Sequence, residues 1–509
     1  MVLNATHART VTLLLGITAL ALALPQTTPG SVFAKSKPCR LLEDAGFNEQ
    51  LYYEGDKGYT ETITSYYSGA SWEYRPQCIL KPRSTEEVSL AVETLNGNKV
   101  GTCWYVAVRG GGHNNFPAST TNSGVTIDMV NLNLIDLNDD ESIVSVGAGN
   151  RWGKVYSYLE PRGLMVAGGR EATVGIAGLL LGGGYSWYSG EVGFAADNVA
   201  AYEVVLADGS VVKATPTEHA DLFKALKGGG PNFGIVTKFE LRTFPARNLY
   251  GGIVILDYSH RHTLMQTFND MIIGNSNDNP SDQGFMSLSW NPSQGHNLAF
   301  IPANIDGISN STAQAGLAQL NPYIDMRGTM PVTGIAAQIA GPYGRHQMWH
   351  TLTYHSTADM GRKVIESFET LVEDLKASGV EGDVSLVYLF TPFPTLFSSR
   401  GIGKNVFGLE KSHTEDSIVF CIQATTPDGS LTELLKEKVA AAGDDIDAYA
   451  KATRQDTPWR FMNYAGPHQN PIATYGEENV RFLKEVAAKY DPGEFFQHGV
   501  PGGWKLKDV

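Results

Sequence analysis

The sequence predicts an α+β protein with more than one core, and two features of its patterning carry that prediction. From residue 76 to about 246, short β-rich runs alternate with glycine turns around one amphipathic helix. From 247 to about 455, strand-like runs alternate with amphipathic helices, the pattern of a second α+β domain with an antiparallel sheet. A chain of 509 residues is also longer than one core sustains.

Residues 1–34 read as a secretory signal: His7 and Arg9 precede the apolar run Val11 to Leu24, and Val32-Phe33-Ala34 offers small residues for cleavage. That run is short for a membrane span, and no later segment approaches one. Residues 76–108 read strand, helix, strand. Ser84-Thr85-Glu86-Glu87 is a capping box, after which Val88, Ala91, Val92 and Leu95 recur on one helical face. Further strands follow at "VTIDM", "SIVSVGAG" and "YEVVLADGSVVKA", where Asp208-Gly209 between β-branched runs marks a tight hairpin. In the second part, "GGIVILDY", "FMSLSW", "DVSLVYLF" and "DSIVFCI" read as strands. Between them Met360–Lys376 forms a helix with Ile365, Phe368, Leu371, Val372 and Leu375 on one side. A last helix carries Val480, Leu483, Val486, Ala487 and Tyr490.

A net charge of -14 and a pI near 5.3 exclude a polyanion such as nucleic acid as the natural partner and favour a small-molecule substrate. Four cysteines fit one disulfide in an exported protein. Cys78 and Cys421 fall in apolar, strand-like runs, so Cys39 and Cys103 are the expected pair. Asn310-Ser311-Thr312 is a glycosylation sequon. His346 and His350, four apart on a possible helix, lack the acid of a zinc motif, and no metal site is expected.

Three glycine clusters, at 110–112, 182–184 and 228–230, each adjoin an apolar run. Glycine admits close approach of backbone to a ligand and presents amide donors to phosphate. Three such clusters favour a large ligand bound along backbone, and neither the Rossmann spacing nor the P-loop spacing is present. His113 follows the first cluster. An imidazole on a glycine turn is either a hydrogen-bonded structural residue or a nucleophile held toward an electrophile.

The ordered blocks "VAVRGGGHN", "GVTIDMVNLNLIDL", "SVGAGNRWGKVYSYLEPRGLMVAGGREATVGIAGLLLGGGYSW", "GFAADNVAAYEVVLADGS", "DLFKALKGGGPNFGIVTKFEL" and "YDPGEFFQHGVPGGWKL" resemble the fungal FAD-linked oxidoreductases of the berberine-bridge-enzyme-like group, within the vanillyl-alcohol-oxidase and p-cresol-methylhydroxylase flavoproteins. The resemblance implies an FAD-binding domain of two α+β subdomains over 35–246, with its core at about 74–246. It also implies a substrate domain over 247–455 and a return to the FAD domain over 456–509. It implies FAD bonded through its 8α carbon to His113, with Arg109, Gly110, Gly111, Gly112 and Asn114 along the pyrophosphate. Gly169, Thr173, Gly175, Gly178 and Gly183 would line the flavin, Asn198 and Val199 would follow, and Gly234, Ile235 and Val236 would meet the adenine or ribose. Many relatives attach the flavin a second time through a cysteine. The matching run here is Glu171-Ala172-Thr173-Val174-Gly175, so a single covalent bond is expected.

Asn463-Tyr464 resembles the family's Asn-Tyr block beside flavin and substrate. Tyr464 is a candidate base if a cation lies near it, with Tyr475 and Glu410 as others. The resulting expectation is an exported, singly linked FAD oxidase that oxidises a secondary-metabolite intermediate by hydride transfer, with dioxygen as the electron acceptor. The alternatives are a secreted carbohydrate oxidase and a flavin-binding protein without turnover.

Overall fold

The computed structural model describes residues 36–97, 104–275 and 279–509, so the expected signal segment and Cys103 lie outside the described residues. Three sheets organise the chain. The first has four strands in the order Leu51–Tyr52, Cys78–Leu80, Gly124–Asp128, Tyr105–Arg109, and its last three strands are mutually parallel. The helix Thr85–Gly97 crosses between two of them and buries Val88, Ala91, Val92 and Leu95. Half of the capping box forms, the Glu87 amide donating to Ser84 Oγ at 3.3 Å, while the Glu87 carboxylate accepts from the Arg83 amide at 2.6 Å.

The second sheet is antiparallel, ordered Ile135–Leu137, Ile143–Gly147, Ile235–Pro245, Val199–Val205, Val211–Ala214, and Leu164–Val166 pairs with the far end of Ile235–Pro245. The Asp208-Gly209 turn joins its last two strands, with Gly209 at φ +85, a conformation that favours glycine. One hydrophobic cluster fills the space around these two sheets. The C-terminal segment joins it through Trp459, Phe461, Met462, Leu483 and Leu506.

The third sheet has ten strands, all antiparallel, with Asp282–Asn291, Ser385–Phe393, Ser417–Thr426 and His346–His355 at its centre. Helices Arg261–Asn275, Ala358–Ala377 and Thr432–Ala452 cover one face. Met348, Leu352 and Tyr354 point into that layer, so the alternate residues Trp349 and Thr351 turn to the opposite face, where Tyr464 lies.

Two expectations need correction. The disulfide joins Cys39 to Cys78, with Cα atoms 6.1 Å apart. Cys39, on the helix Lys37–Asp44, packs against the strand Cys78–Leu80, and burial of Cys78 in a strand favours the bridge rather than excluding it. His346 and His350 lie on a strand, His346–His355, not a helix. On that strand His350 Nδ1 is 3.1 Å from His468 Nε2.

Candidate active site

The loop bearing His113 leaves the C-terminal end of the parallel strand Tyr105–Arg109, the edge at which such sheets form ligand sites. Gly112, at φ +63, turns the chain, and its carbonyl accepts from the Tyr67 amide at 2.9 Å. The Tyr67 carbonyl accepts in turn from the Gly344 amide at 2.9 Å, so three distant segments meet at His113. Tyr67 stacks on the imidazole at 4.1 Å between centroids, 12° from parallel, and Tyr343 meets it edge-on at 5.8 Å. Arg151 fixes Tyr343 by donating to its hydroxyl at 2.8 Å and fixes the neighbouring loop by donating to the Thr173 carbonyl.

Glu171 closes the third side. Its Oε2 is 3.0 Å from His113 Nε2, while its Oε1 accepts from the Thr173 amide at 2.7 Å and the Thr173 hydroxyl at 2.5 Å. Burial alone would raise the Glu171 carboxyl. The hydrogen bond and charge of His113, with the two Thr173 donors, outweigh it and hold the group below the ordinary carboxylate range. The two loops meet backbone to backbone: a Cβ on Gly111 would stand 2.4 Å from Gly175 Cα, and one on Gly175 would stand 2.5 Å from Gly111 Cα. Only glycine at both positions permits that contact.

The residues after Gly175 come to the surface at Gly178. Gly178 is exposed, and a Cβ there would meet nothing within 4 Å. Asn463 ties this edge to the C-terminal segment: its Nδ2 donates to the Gly178 carbonyl at 3.1 Å and its Oδ1 accepts from the Gly184 amide at 3.0 Å. Next to it, Tyr464 Oη accepts from Arg170 Nη2 at 2.6 Å. The Arg170 guanidinium lies over the rings of Phe285 at 4.8 Å and Tyr185 at 5.3 Å, and Trp349 packs edge-on to Tyr464 at 6.0 Å.

Contacts thus join His113 to Thr173, Gly111 to Gly175, and Gly178 to Asn463, the neighbour of Tyr464. Asn114, next to His113 in the chain, is exposed, and Gly110 packs against Ala177. Other expected residues are engaged elsewhere. Arg109 is 3% exposed and forms a two-bond ion pair with Asp128 at 2.9 and 3.0 Å, so its guanidinium joins two strands and is not free for phosphate. Tyr475 is buried, its hydroxyl donates to the Gly228 carbonyl at 3.1 Å, and burial pushes its pKa well above the ordinary phenol value. It is a packing residue, not a base. Glu410 is exposed on the short helix Leu409–Ser412. Gly169 is buried, its carbonyl accepting from Tyr156 at 2.7 Å, and a Cβ on Gly183 would meet Phe407 at 2.8 Å. The Asn198 amide bonds the Val192 and Phe194 carbonyls, while Val199, Ile235 and Val236 point their side chains into the core. A Cβ on Gly234 would collide with Val204.

Sequence reasoning missed Tyr67, Tyr343, Arg151 and Arg170, and took Glu171 only as a lost cysteine. One signal was available: Arg170 and Glu171 are the only charged residues between Arg162 and Glu191. Among the described residues no group of acids, histidines and cysteines is arranged to hold a metal, and no helix is long and apolar enough to cross a membrane.

The clamped imidazole of His113 and the arginine–tyrosine pair are the chemically distinctive features of this region. Residues 76–215 match the FAD binding domain family. The FAD-dependent monooxygenase drtC of Aspergillus calidoustus is 30% identical, covering 96% of this chain and 94% of that protein. The FAD-dependent monooxygenase sdcF of Emericella nidulans is 31% identical, covering 92% and 98%. Among solved structures, xylooligosaccharide oxidase from Myceliophthora thermophila superposes with a TM-score of 0.74 at 19% identity, covering 92% of this chain and 99% of that one. For a variant of berberine bridge enzyme the TM-score is 0.72 at 14% identity, with the same coverage. The chain belongs to the family of these fungal FAD-dependent proteins, it has the fold of the two solved structures, and it is an FAD-dependent enzyme.

Proposed function

We propose that the protein is an oxidase that carries FAD on a single covalent bond to His113 and oxidises a small secondary-metabolite intermediate. The observation that carries the reading is the three-sided clamp on His113, which holds one imidazole at the end of a glycine turn. The residues fit the cofactor: Gly178 leaves space where a side chain would stand, and Asn115, in the same loop as His113, has a buried Oδ1 with no hydrogen-bond partner among the described residues. Glu171 offers no thiol for a second attachment. When bound, the flavin supplies a two-electron acceptor for a substrate hydride and passes the electrons to dioxygen.

The protein's own part is proton transfer and orientation. Arg170 Nη2 donates to Tyr464 Oη at 2.6 Å, so a cation stands beside the oxygen that would accept a substrate hydroxyl or amine proton as the hydride leaves. Phe285, Trp349 and Tyr185 make the walls around this pair aromatic, which suits an unsaturated, weakly polar substrate better than a sugar. The expected entry into the secretory pathway is part of the proposal. Asn310, exposed in a turn, is open to glycosylation, and an unchanged mass after glycosidase treatment of protein from a eukaryotic host would remove that support.

The test is anaerobic bleaching of the bound flavin by aromatic polyketide-type alcohols and phenols beside a panel of oligosaccharides. Bleaching by the first class, followed on admission of air by one hydrogen peroxide per turnover, supports the oxidase. Bleaching by sugars alone establishes the carbohydrate oxidase instead, and bleaching by none leaves a flavin-binding protein without turnover. The names of the two relatives favour a second reading, oxygen insertion, which ¹⁸O₂ distinguishes by label in the product in place of peroxide.

A further inference from the structure

The geometry points to Glu171 as the residue that fixes which nitrogen of His113 bonds the flavin, by holding a proton on Nε2 so that Nδ1 carries the lone pair. The inference rests on the reading that FAD is attached to His113. Both Glu171 oxygens are committed, Oε2 to His113 and Oε1 to two donors of Thr173, and a carboxylate so placed only accepts. His113 Nε2 therefore donates, and in a neutral imidazole the other nitrogen is then unprotonated. The ring cannot exchange its nitrogens by turning over. Tyr67 covers its face, Tyr343 its edge, and Arg151 anchors both Tyr343 and the Thr173 carbonyl. At the position where relatives place a second attachment point, this chain has a group that grips the first.

In the attachment step a bond forms from Nδ1 to the 8α carbon, and a C–H bond at that carbon breaks. The electron pair of that bond, with one proton from the carbon and one from Nε2, reduces the ring system, and dioxygen takes both electrons and protons as hydrogen peroxide. Glu171 offsets the positive charge that builds on the imidazole as Nδ1 bonds, and it lies in the path by which the Nε2 proton leaves. Glu171 is a positioning residue here: it acts on His113 and does not touch substrate.

The experiment follows acid-stable flavin by intact mass after FAD is added to apoprotein from riboflavin-starved cells, for wild type, Glu171→Gln and Glu171→Leu. NMR of the digested histidyl-flavin peptide identifies the bonded nitrogen, a readout that loss of packing alone does not move. Wild type is expected to bond only at Nδ1. Glu171→Gln keeps the shape but not the charge, and should bind dissociable FAD and attach it about 10- to 100-fold more slowly. Glu171→Leu should be slower still, with its product divided between the two nitrogens. A wild-type bond at Nε2, or attachment in Glu171→Gln at the wild-type rate, overturns the inference while leaving covalent FAD intact. Only dissociable FAD in wild type overturns the reading beneath it, and the inference with it. Should Glu171→Leu fail to fold, the wild-type nitrogen and the Glu171→Gln rate decide the matter.

Discussion

Replacing Gly111 with alanine should cost the protein its flavin while barely lowering its melting temperature. The added Cβ would stand 2.4 Å from Gly175 Cα and 2.7 Å from Gly175 N. Ordinary contacts are about 3.5–4 Å, so the two loops must part by roughly 1 Å, and no rotamer change relieves a clash of backbone on backbone. Overpacking of this kind costs about 1–3 kcal/mol. A chain of this length unfolds with an entropy on the order of 1 kcal/mol/K, so the melting shift is only about 1–3 °C. The same two loops carry the 3.0 Å bond between His113 and Glu171. A separation of about 1 Å takes that bond beyond hydrogen-bonding distance. The assay is the flavin-to-protein absorbance ratio of purified protein, beside thermal unfolding, with Gly178→Ala as the contrast. Gly178 lies in the helix Ile176–Leu181, and its methyl would meet nothing within 4 Å. That variant should be as stable as wild type or up to about 1 kcal/mol more so, yet also poor in flavin because the methyl enters the space proposed for the cofactor. Wild-type flavin content in Gly111→Ala, or equal destabilisation of the two variants, would refute the reasoning.

Three further outcomes follow from the structure. The Cys39–Cys78 bridge closes a separation of 39 residues, so Cys39→Ala with Cys78→Ala should lose about 4 kcal/mol of stability to urea. Non-reducing peptide mapping should link Cys39 to Cys78, and a Cys39–Cys103 peptide would contradict the fold. Tyr464→Phe should slow flavin reduction at least about 100-fold with flavin retained. Tyr475→Phe should instead lose about 1 kcal/mol of stability with little kinetic effect, and the reverse pattern would reassign the base. Burial lowers His413 to about 4 and, with repulsion from His468 and Arg460, lowers His350 to about 3. Both lie below the unfolded value, so the unfolded chain takes up protons first as pH falls. Stability should drop from about pH 6.5 toward 4, by about 2 kcal/mol per histidine at pH 5. Urea titrations at several pH values check this, and His413→Gln should flatten the slope.

Much of the frame was legible because it is written in local patterns. The 3.6-residue recurrence of Val88, Ala91, Val92 and Leu95, and the Asp208-Gly209 turn, depend on neighbours in sequence. His113 stood out as a candidate because three glycines before one imidazole is a costly arrangement that a core does not need. What surrounds His113 was not legible. Tyr67, Tyr343 and Arg151 come from distant segments that only the folded backbone brings together, through Gly112, Tyr67 and Gly344. Tyr475 misled because a buried tyrosine bonded to a carbonyl and a base beside a cleft are the same letter, and only burial separates them. The same holds for Arg109, whose partner Asp128 lies on the neighbouring strand. The histidines of His346–His355 misled because a spacing of four fits a helix face and also one face of a strand.

The most direct test of the central claim is the visible spectrum and intact mass of acid-precipitated protein, wild type beside His113→Ala. A yellow wild-type pellet heavier by one FAD is expected, with a colourless His113→Ala pellet whose flavin stays in the supernatant. A colourless wild-type pellet, or a yellow pellet from His113→Ala, would contradict attachment through His113.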